Sequence, residues 1–248
     1  MPDPTNHVRT AIVTGASRGI GQAVAKRLAG DGFACVVNYA GNAAEAQRTA
    51  AEITAGGGHA VAVQADVSDP AAITRLFDAA ERVFGGVDVL VNNAGVMQLA
   101  PVAESDDALF DRQVAVNLKG TFNGLREAAR RLRDGGRIVS FSSSVVGVYG
   151  PGYGVYAATK AAVEAMTHVL AKELGPRRIT VNVVAPGPVA TELFLDGKSD
   201  ALIAAVTKSI PLGRLGEPAD VARVVAFLTG PDGAWVNGQV LRANGGMI

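Results

Sequence analysis

The sequence predicts a doubly wound α/β domain, a parallel sheet of about seven strands with helices on both faces, on three observations. Short β-branched runs alternate with longer helical patterns along the whole chain. The strand candidates are almost continuously apolar, as expected of strands buried on both faces. A glycine-rich turn joins the first strand to the first helix, where such sheets bind ligands.

The strands are read, in order, as TAIVT (10–14), ACVVNY (34–39), AVAVQA (60–65), VDVLVN (87–92), RIVSFS (137–142), ITVNVV (179–184) and GQVLR (238–242). Each is short and rich in valine and isoleucine, whose branched side chains fit a pleated surface. Helical periodicity fills the intervals near 20–30, 43–55, 70–84, 106–133, 155–174 and 218–229. No repeat and no Pro/Gly-rich linker interrupts the pattern, so residues 1–248 read as one domain. The polar start, residues 1–8, is expected to be disordered. The segment 187–216 carries a short helical pattern at about 199–208 but no strand. It follows a strand's carboxyl end and is rich in apolar residues (Val189, Leu193, Phe194, Leu195), so it reads as a substrate-binding lid.

The totals exclude several functions. Apolar residues make up 48% of the chain and charged residues 19%, enough to build a core and too apolar for a disordered chain. Lys plus Arg equals Asp plus Glu at 23 each, so no nucleic-acid or anionic-membrane partner is expected. The one cysteine, Cys35, lies in an apolar run and reads as a buried, inert thiol. From Ile138 to Thr159 there is no charge, but four serines, four glycines and a proline argue against a membrane span. The first residues carry no apolar signal-peptide core, and a cytoplasmic protein is expected. There is no G-x-S-x-G and no H-E-x-x-H, and His7, His59 and His168 are scattered, so hydrolase and zinc chemistry lack parts. The arginines of REAARRLRDGGR (126–137) read as a solvated helix end favoured by the helix dipole.

Two stretches carry chemistry. In VTGASRGIGQAVAKRLA, Gly15, Gly19 and Gly21 stand between a strand and an amphipathic helix, in a G-x-x-x-G-x-G spacing that differs from the common G-x-G-x-x-G fingerprint. A turn of this kind brings the backbone close to a pyrophosphate, which the helix N-terminus stabilises. In GPGYGVYAATKAA (150–162), Tyr156 and Lys160 are four apart and share a helix face. Tyr153 belongs to the turn leading into that helix, and Tyr149 lies further out. A free phenol has a pKa of about 10. A cation nearby lowers it towards the range useful for acid–base work, so Tyr156 is expected to have a lowered pKa.

With these motifs the sequence resembles the short-chain dehydrogenase/reductase family. TGASRGIG is similar to that family's cofactor signature, as is NNAG (92–95) after the fourth strand. Tyr156-x-x-x-Lys160, a serine thirteen positions upstream (Ser143) and VNVVAPGPVAT (181–191) complete a resemblance that covers about residues 9–248. It implies a Rossmann-type domain, a dinucleotide cofactor and carbonyl reduction, with Tyr156 donating a proton, Ser143 holding the carbonyl oxygen and Lys160 also binding the nicotinamide ribose. Asn117 in VAVNLKG matches the family's helix asparagine that holds a relay water. Ser142 and Ser144 flank Ser143, and strand alternation does not choose among the three; only the thirteen-residue spacing does. Val145, Tyr149 and Tyr153 are expected to wall the substrate mouth, beside Ser143 and Tyr156.

By the same resemblance the cofactor residues are Gly15, Ser17, Arg18, Gly19, Ile20 and Gly21, then Asn38, Tyr39 and Ala40 after the second strand. Asp66 and Val67 match the adenine contact. Asn93, Ala94 and Gly95 follow the fourth strand, and Tyr156, Lys160, Pro186, Gly187, Val189 and Thr191 lie beside the nicotinamide. Where NAD-selective proteins carry an acid on the ribose 2′-OH, this chain has Tyr39. Arg18 is suited to pair with a 2′-phosphate, with donors expected from Asn38 and residues 40–42, so NADP(H) is predicted. The activity expected is reduction of an aldehyde, ketone or 3-oxo-thioester. The alternatives are oxidation of an alcohol or sugar with NAD(P)+, and a catalytically silent dinucleotide-binding protein. In relatives that reduce carrier-protein thioesters, basic residues near 126–137 meet the acidic carrier. A homotetramer is expected, with Trp235 at a subunit contact or in the core. The last residues depart from the commoner V-D-G-G ending, with Ala243-Asn244-Gly245-Gly246.

Overall fold

The structure, a computed structural model, describes residues 8–248. Of the segment 1–8 expected to be disordered, residues 1–7 lie outside the described residues. Seven strands form one sheet: β1 (Thr10–Val13), β2 (Ala34–Tyr39), β3 (His59–Gln64), β4 (Val87–Asn92), β5 (Leu132–Phe141), β6 (Thr180–Pro186) and β7 (Val240–Ala243). Their order is β3-β2-β1-β4-β5-β6-β7 and every pairing is parallel. The chain winds outward in one direction from β1 and in the other from β4, so the strand order reverses between them. That is the Rossmann-type arrangement predicted, and the reversal opens a crevice at the carboxyl ends of β1 and β4.

The helices are α1 (Gly19–Gly30), α2 (Ala43–Ala55), α3 (Pro70–Phe84), α4 (Asp107–Gln113), α5 (Gly120–Arg131), α6 (Val145–Val148), α7 (Gly154–Glu173), α8 (Glu192–Leu195), α9 (Asp200–Lys208) and α10 (Pro218–Thr229). Their starts follow from local chemistry. Asp69 accepts the Ala71 N–H ahead of Pro70, and Asn42 accepts the Glu45 N–H at the head of α2. Gly85 ends α3 in the left-handed conformation.

Alternate residues of each central strand feed opposite cores. Ala11 and Val13 of β1, with Val89 and Val91 of β4, join Val24 and Leu28 of α1 and Val221 and Val225 of α10. Ile12 and Leu90 point the other way, against Ile73, Leu76 and Phe77 of α3 and Leu125 of α5. Both faces of the sheet are therefore dry, which is why its strands read as continuous apolar runs.

Four features differ from the sequence reading. The helical pattern 106–133 is interrupted by a π-helical stretch, Val114–Lys119, between α4 and α5. β5 begins at Leu132, earlier than expected, because the irregular step between Val87 and Val89 of β4 lets the 132–137 turn pair as well. The segment 187–216 holds α8 as well as α9, and Val189 bridges Gly216 in parallel. Trp235 is 98% exposed, so it is not in the core of this chain.

The arginine-rich end of α5 is tied inward. Arg131 pairs with Asp78 and Glu81 of α3 and with Glu127, while Arg133 reaches the buried Asp88. Among the described residues no helix is long and apolar enough to cross a membrane. Phe77 is fully buried in the α3 face. Phe77→Ala is expected to lower the unfolding free energy by about 3–5 kcal/mol through lost burial and the cavity left behind, read as a lower urea midpoint with an unchanged slope.

Candidate functional site

The glycine loop is built by close backbone approach. At Gly21 a Cβ would lie 2.4 Å from the Gly15 carbonyl oxygen and 2.5 Å from Asn93 Nδ2, so no other residue fits there without displacing the loop. The loop is fastened to β4. Thr14 Oγ1 accepts the main-chain N–H groups of Asn93 (3.0 Å) and Ala94 (3.1 Å), and Asn93 Nδ2 donates to the carbonyls of Thr14 (2.9 Å) and Gly15 (3.1 Å). Neither role of Thr14 is visible in its place at a strand end.

These contacts shape a long cleft of about 800 Å³ along the carboxyl ends of β1, β2 and β4. Gly15, Ser17, Arg18, Gly19, Ile20 and Gly21 form one wall; Tyr39, Ala40, Asp66 and Val67 line one end; Asn93, Ala94 and Gly95 line the floor, and Thr191 the other side. Lys26 and Arg112 also face it, two cations that the sequence did not single out. Asp66 is held below the usual carboxylate range by hydrogen bonds from the Ser68 N–H and hydroxyl. Arg18 pairs with Glu192, the first residue of α8.

Asn38 also lines the cleft, but its side chain serves the protein. It is buried, its Oδ1 accepts the Gly15 N–H at 3.2 Å, and its amide hydrogens go to protein carbonyls, the Ala65 oxygen at 3.0 Å among them. Its donors are spent on supporting the glycine loop and β3 rather than being offered to a ligand.

A second, more enclosed cavity of about 470 Å³ adjoins the cleft and shares Ile20, Asn93, Gly95, Thr191 and Leu193 with it. Ser143, Val145, Tyr153, Tyr156, Lys160, Pro186, Gly187 and Val189 line it, together with Met97, Phe194, Lys198 and Met247. Its wall is mostly hydrocarbon. Phe194, Lys198 and Leu202 enter from α8, α9 and the turn between them, and Met247 from beyond β7. Nothing in the sequence pattern ties Met247 to the tyrosine motif, since they are brought together only by the order of β5, β6 and β7.

The three serines separate by burial. Ser142 and Ser144 are buried and bonded internally, Ser142 Oγ donating to Glu164 Oε1 at 2.6 Å and Ser144 Oγ to the Ala185 carbonyl at 3.3 Å. All three touch the cavity lining, but Ser143 is the one that is not buried, and its hydroxyl hydrogen-bonds that of Tyr156. Tyr149 does not line the cavity. It adopts a left-handed conformation (φ 49°, ψ 45°) and its side chain is 67% exposed, so this expected wall residue turns to solvent. Tyr153 stands immediately before α7 and does line the cavity.

Lys160 is buried, and its Nζ donates to the Phe141 carbonyl at 2.9 Å. Gly95 lets it approach the floor of the site: a Cβ on Gly95 would lie 3.3 Å from Asn117 Oδ1 and 3.6 Å from Lys160 Nζ. Asn117, in the π-helical stretch, is fully buried. It accepts the Val96 N–H at 2.8 Å and donates to the Val96 carbonyl at 2.9 Å and to Thr159 Oγ1 at 3.4 Å. Its carboxamide thus stitches the 93–96 segment to α7, with both hydrogens used inside the protein.

The electrostatics run against one expectation. Burial pushes the Tyr156 phenol up to about 12; the Ser143 hydrogen bond pulls it down and Tyr153 pushes it further up. Burial also pulls the Lys160 ammonium down to about 8. The lysine nitrogen lies 5.7 Å from the Tyr156 ring centre and donates to a carbonyl, so desolvation outweighs its field at the phenol. In the protein alone Tyr156 is therefore an un-ionised acid across the neutral range.

Comparison with known proteins agrees with this arrangement. A family model described as enoyl-(acyl carrier protein) reductase matches residues 15–248. An NADPH-dependent aldehyde reductase-like protein, chloroplastic, of Arabidopsis thaliana is 47% identical, the alignment covering 97% of this chain and 94% of the relative. A short-chain type dehydrogenase/reductase of Picea abies is also 47% identical, over 97% of this chain and 92% of its own. A solved structure, a short chain dehydrogenase from Burkholderia cenocepacia J2315 in complex with NADP, superposes with a TM-score of 0.92 at 40% identity, covering 97% of this chain and 98% of that one. Sequence, sheet order and the cleft at the strand reversal converge, and the chain belongs to the short-chain dehydrogenase/reductase family of oxidoreductases.

Proposed function

We propose that the protein reduces an aldehyde or ketone to an alcohol with NADPH, and that Tyr156 donates the proton. The observation that carries this reading is that the hydrogen-bonded hydroxyls of Tyr156 and Ser143 line the same apolar cavity as buried Lys160, and that this cavity adjoins the long cleft. The cleft fits the cofactor. Its glycine wall admits the close approach a pyrophosphate needs, α1 presents its N-terminus there, and no carboxylate stands at Tyr39 to favour a bare ribose. Arg18 is then the residue to hold a 2′-phosphate, which competes with Glu192 for the guanidinium. The name of the Arabidopsis relative and the NADP in the Burkholderia structure support this choice.

Held along the glycine wall (Gly15, Gly19 and Gly21) and by Arg18, NADPH would supply the hydride for the carbonyl carbon. Ser143 donates a hydrogen bond to the carbonyl oxygen and holds it against Tyr156, a preorganised donor whose own position costs no rearrangement. The phenol, protonated at neutral pH, gives its proton to that oxygen as negative charge builds there. Lys160, with a pKa of about 8, is mostly charged at pH 7 and stabilises the phenolate left behind. Asn117 acts by holding the Val96 main chain, and with it the floor beneath Lys160. The segment 187–216, with Leu193 and Phe194 turned into the cavity, serves as the lid that excludes water. Phe110, Phe122 and Val169, exposed on α4, α5 and α7, support the expectation of a homo-oligomer.

Tyr156→Phe is expected to lower kcat for aldehyde reduction by at least about a thousandfold while the dissociation constant for NADPH changes little, measured by absorbance decay and by fluorescence titration. Full activity in this variant would remove Tyr156 from its role. Wild-type kcat/KM should be much higher with NADPH than with NADH, and the reverse preference would refute the cofactor assignment. The Lys160 pKa makes a separate prediction for the protein without cofactor. Between pH 8 and 10.5 the unfolded state holds this proton and the folded state does not, so stability rises with pH there, and the full cost of charging the buried amine applies below pH 8. Lys160→Met removes that cost. Its stability relative to wild type is expected to be greatest below pH 8 and to decline by on the order of 3 kcal/mol by pH 10.5, measured by urea unfolding.

A further inference from the structure

We propose that residues 244–248 form a wall of the acceptor cavity that selects neutral aromatic carbonyl compounds, with Met247 contacting the substrate and Asn244 as its positioning residue. This rests on the carbonyl reductase reading above and adds the substrate class.

The segment follows β7 and turns back onto the active site. Asn244 is buried and every polar atom of its side chain is used. Oδ1 accepts the N–H groups of Gly246 (3.0 Å) and Met247 (3.2 Å), which fixes the turn. Nδ2 donates to Ser144 Oγ (3.1 Å) and to the Ile248 main-chain oxygen (3.4 Å). Ser144 in turn donates to Ala185 of β6 and adjoins Ser143, so one amide joins the turn to the strand ends that carry the reacting hydroxyls. The contact is close on two further sides. A Cβ on Gly187 would lie 2.8 Å from Asn244 Cα, and a Cβ on Gly147 would lie 2.4 Å from Ile248 Cδ1. Ile248 therefore covers the 145–148 turn, and Met247 is left facing the cavity.

The chemistry of the opposing walls defines what fits. Met97 and Met247 present two thioethers, and Tyr153 and Phe194 present aromatic rings, around a space of about 470 Å³. Thioethers are polarizable and pack favourably against ring edges, so this wall rewards a flat aromatic body. Among the described residues no carboxylate lines the cavity to receive a cation. Lys198 is held by the Phe194 carbonyl at 2.5 Å and the Phe194 ring at 4.7 Å, and Lys160 donates to the Phe141 carbonyl, so among the described residues both cations that line the cavity have protein partners. On this proposal a two-ring aldehyde held at Tyr156 fills enough of that space to lie against Met247, whereas a small aliphatic aldehyde need not.

The test compares 2-naphthaldehyde with propanal. The ratio of their kcat/KM values with NADPH is expected to fall about tenfold in Met247→Ala and to return in Met247→Leu, which restores most of the volume. Asn244→Ala should lower the ratio similarly, and the double variant should lower it no further, because both act through one side chain. The affinity of the cofactor-free protein for 2-naphthol, read by calorimetry, should weaken about fivefold in Met247→Ala. A ratio unmoved by Met247→Ala, or a loss in Asn244→Ala that appears only in the melting temperature, would overturn the proposal. Reduction of neither aldehyde by the wild type, with 2-naphthol still bound through Met247, would instead refute the carbonyl reductase reading.

Discussion

Everything at the site depends on how the sheet is closed where its winding reverses. β1 and β4 are neighbours whose following segments diverge, and that divergence opens the crevice. Thr14 and Asn93 hold it at a fixed width by exchanging hydrogen bonds across the gap, each bonding the other's main chain. Asn38 adds a third tie, from the end of β2 to Gly15. With polar groups paired in this way, the glycine loop is braced by the protein's own side chains, which shape the cleft.

A fixed crevice allows two titratable groups to be buried beside it. Lys160 and Tyr156 both lose hydration, and burial moves both towards their neutral forms. For the phenol this favours the proton-bearing state that the proposed reduction would draw on. For the lysine it narrows the range of pH over which a charge is kept. The Phe141 carbonyl, the Ser143 hydroxyl and the Asn117 clamp on Val96 keep these groups in register. The π-helical stretch that carries Asn117 breaks the regular α-helical hydrogen-bonding pattern, a local departure of a kind found at functional sites.

The walls divide into two kinds. The floor comes from strand ends and tight main-chain approaches, braced by the side-chain amides of Asn38, Asn93 and Asn117. The roof comes from the 187–216 segment and from residues 244–248, which are held mainly by caps, short turns and side-chain amides. The roof meets the floor at few points, Asn244 on Ser144 being one. In the proposed reading, selectivity would rest mainly on the roof and proton transfer on the floor.

The sequence by itself determined the layered fold, the glycine loop, and the pairing of Tyr156 with Lys160. Each is a local property: periodicity, a turn needing glycine, or two side chains four apart on a helix. The thirteen-residue spacing also pointed to Ser143, but only tertiary structure separates it from its neighbours, by burying Ser142 against Glu164 and Ser144 against Ala185. The same holds for Tyr149, whose left-handed backbone carries it out of the wall, and for Asn38, whose amide is consumed under the loop. The sign of the Tyr156 shift was misjudged because proximity to a cation can be read from spacing, whereas loss of hydration depends on what the remaining elements cover. Met247 reaches the cavity only because β7 lies beside β6 in the sheet, an adjacency between distant segments that no local pattern encodes.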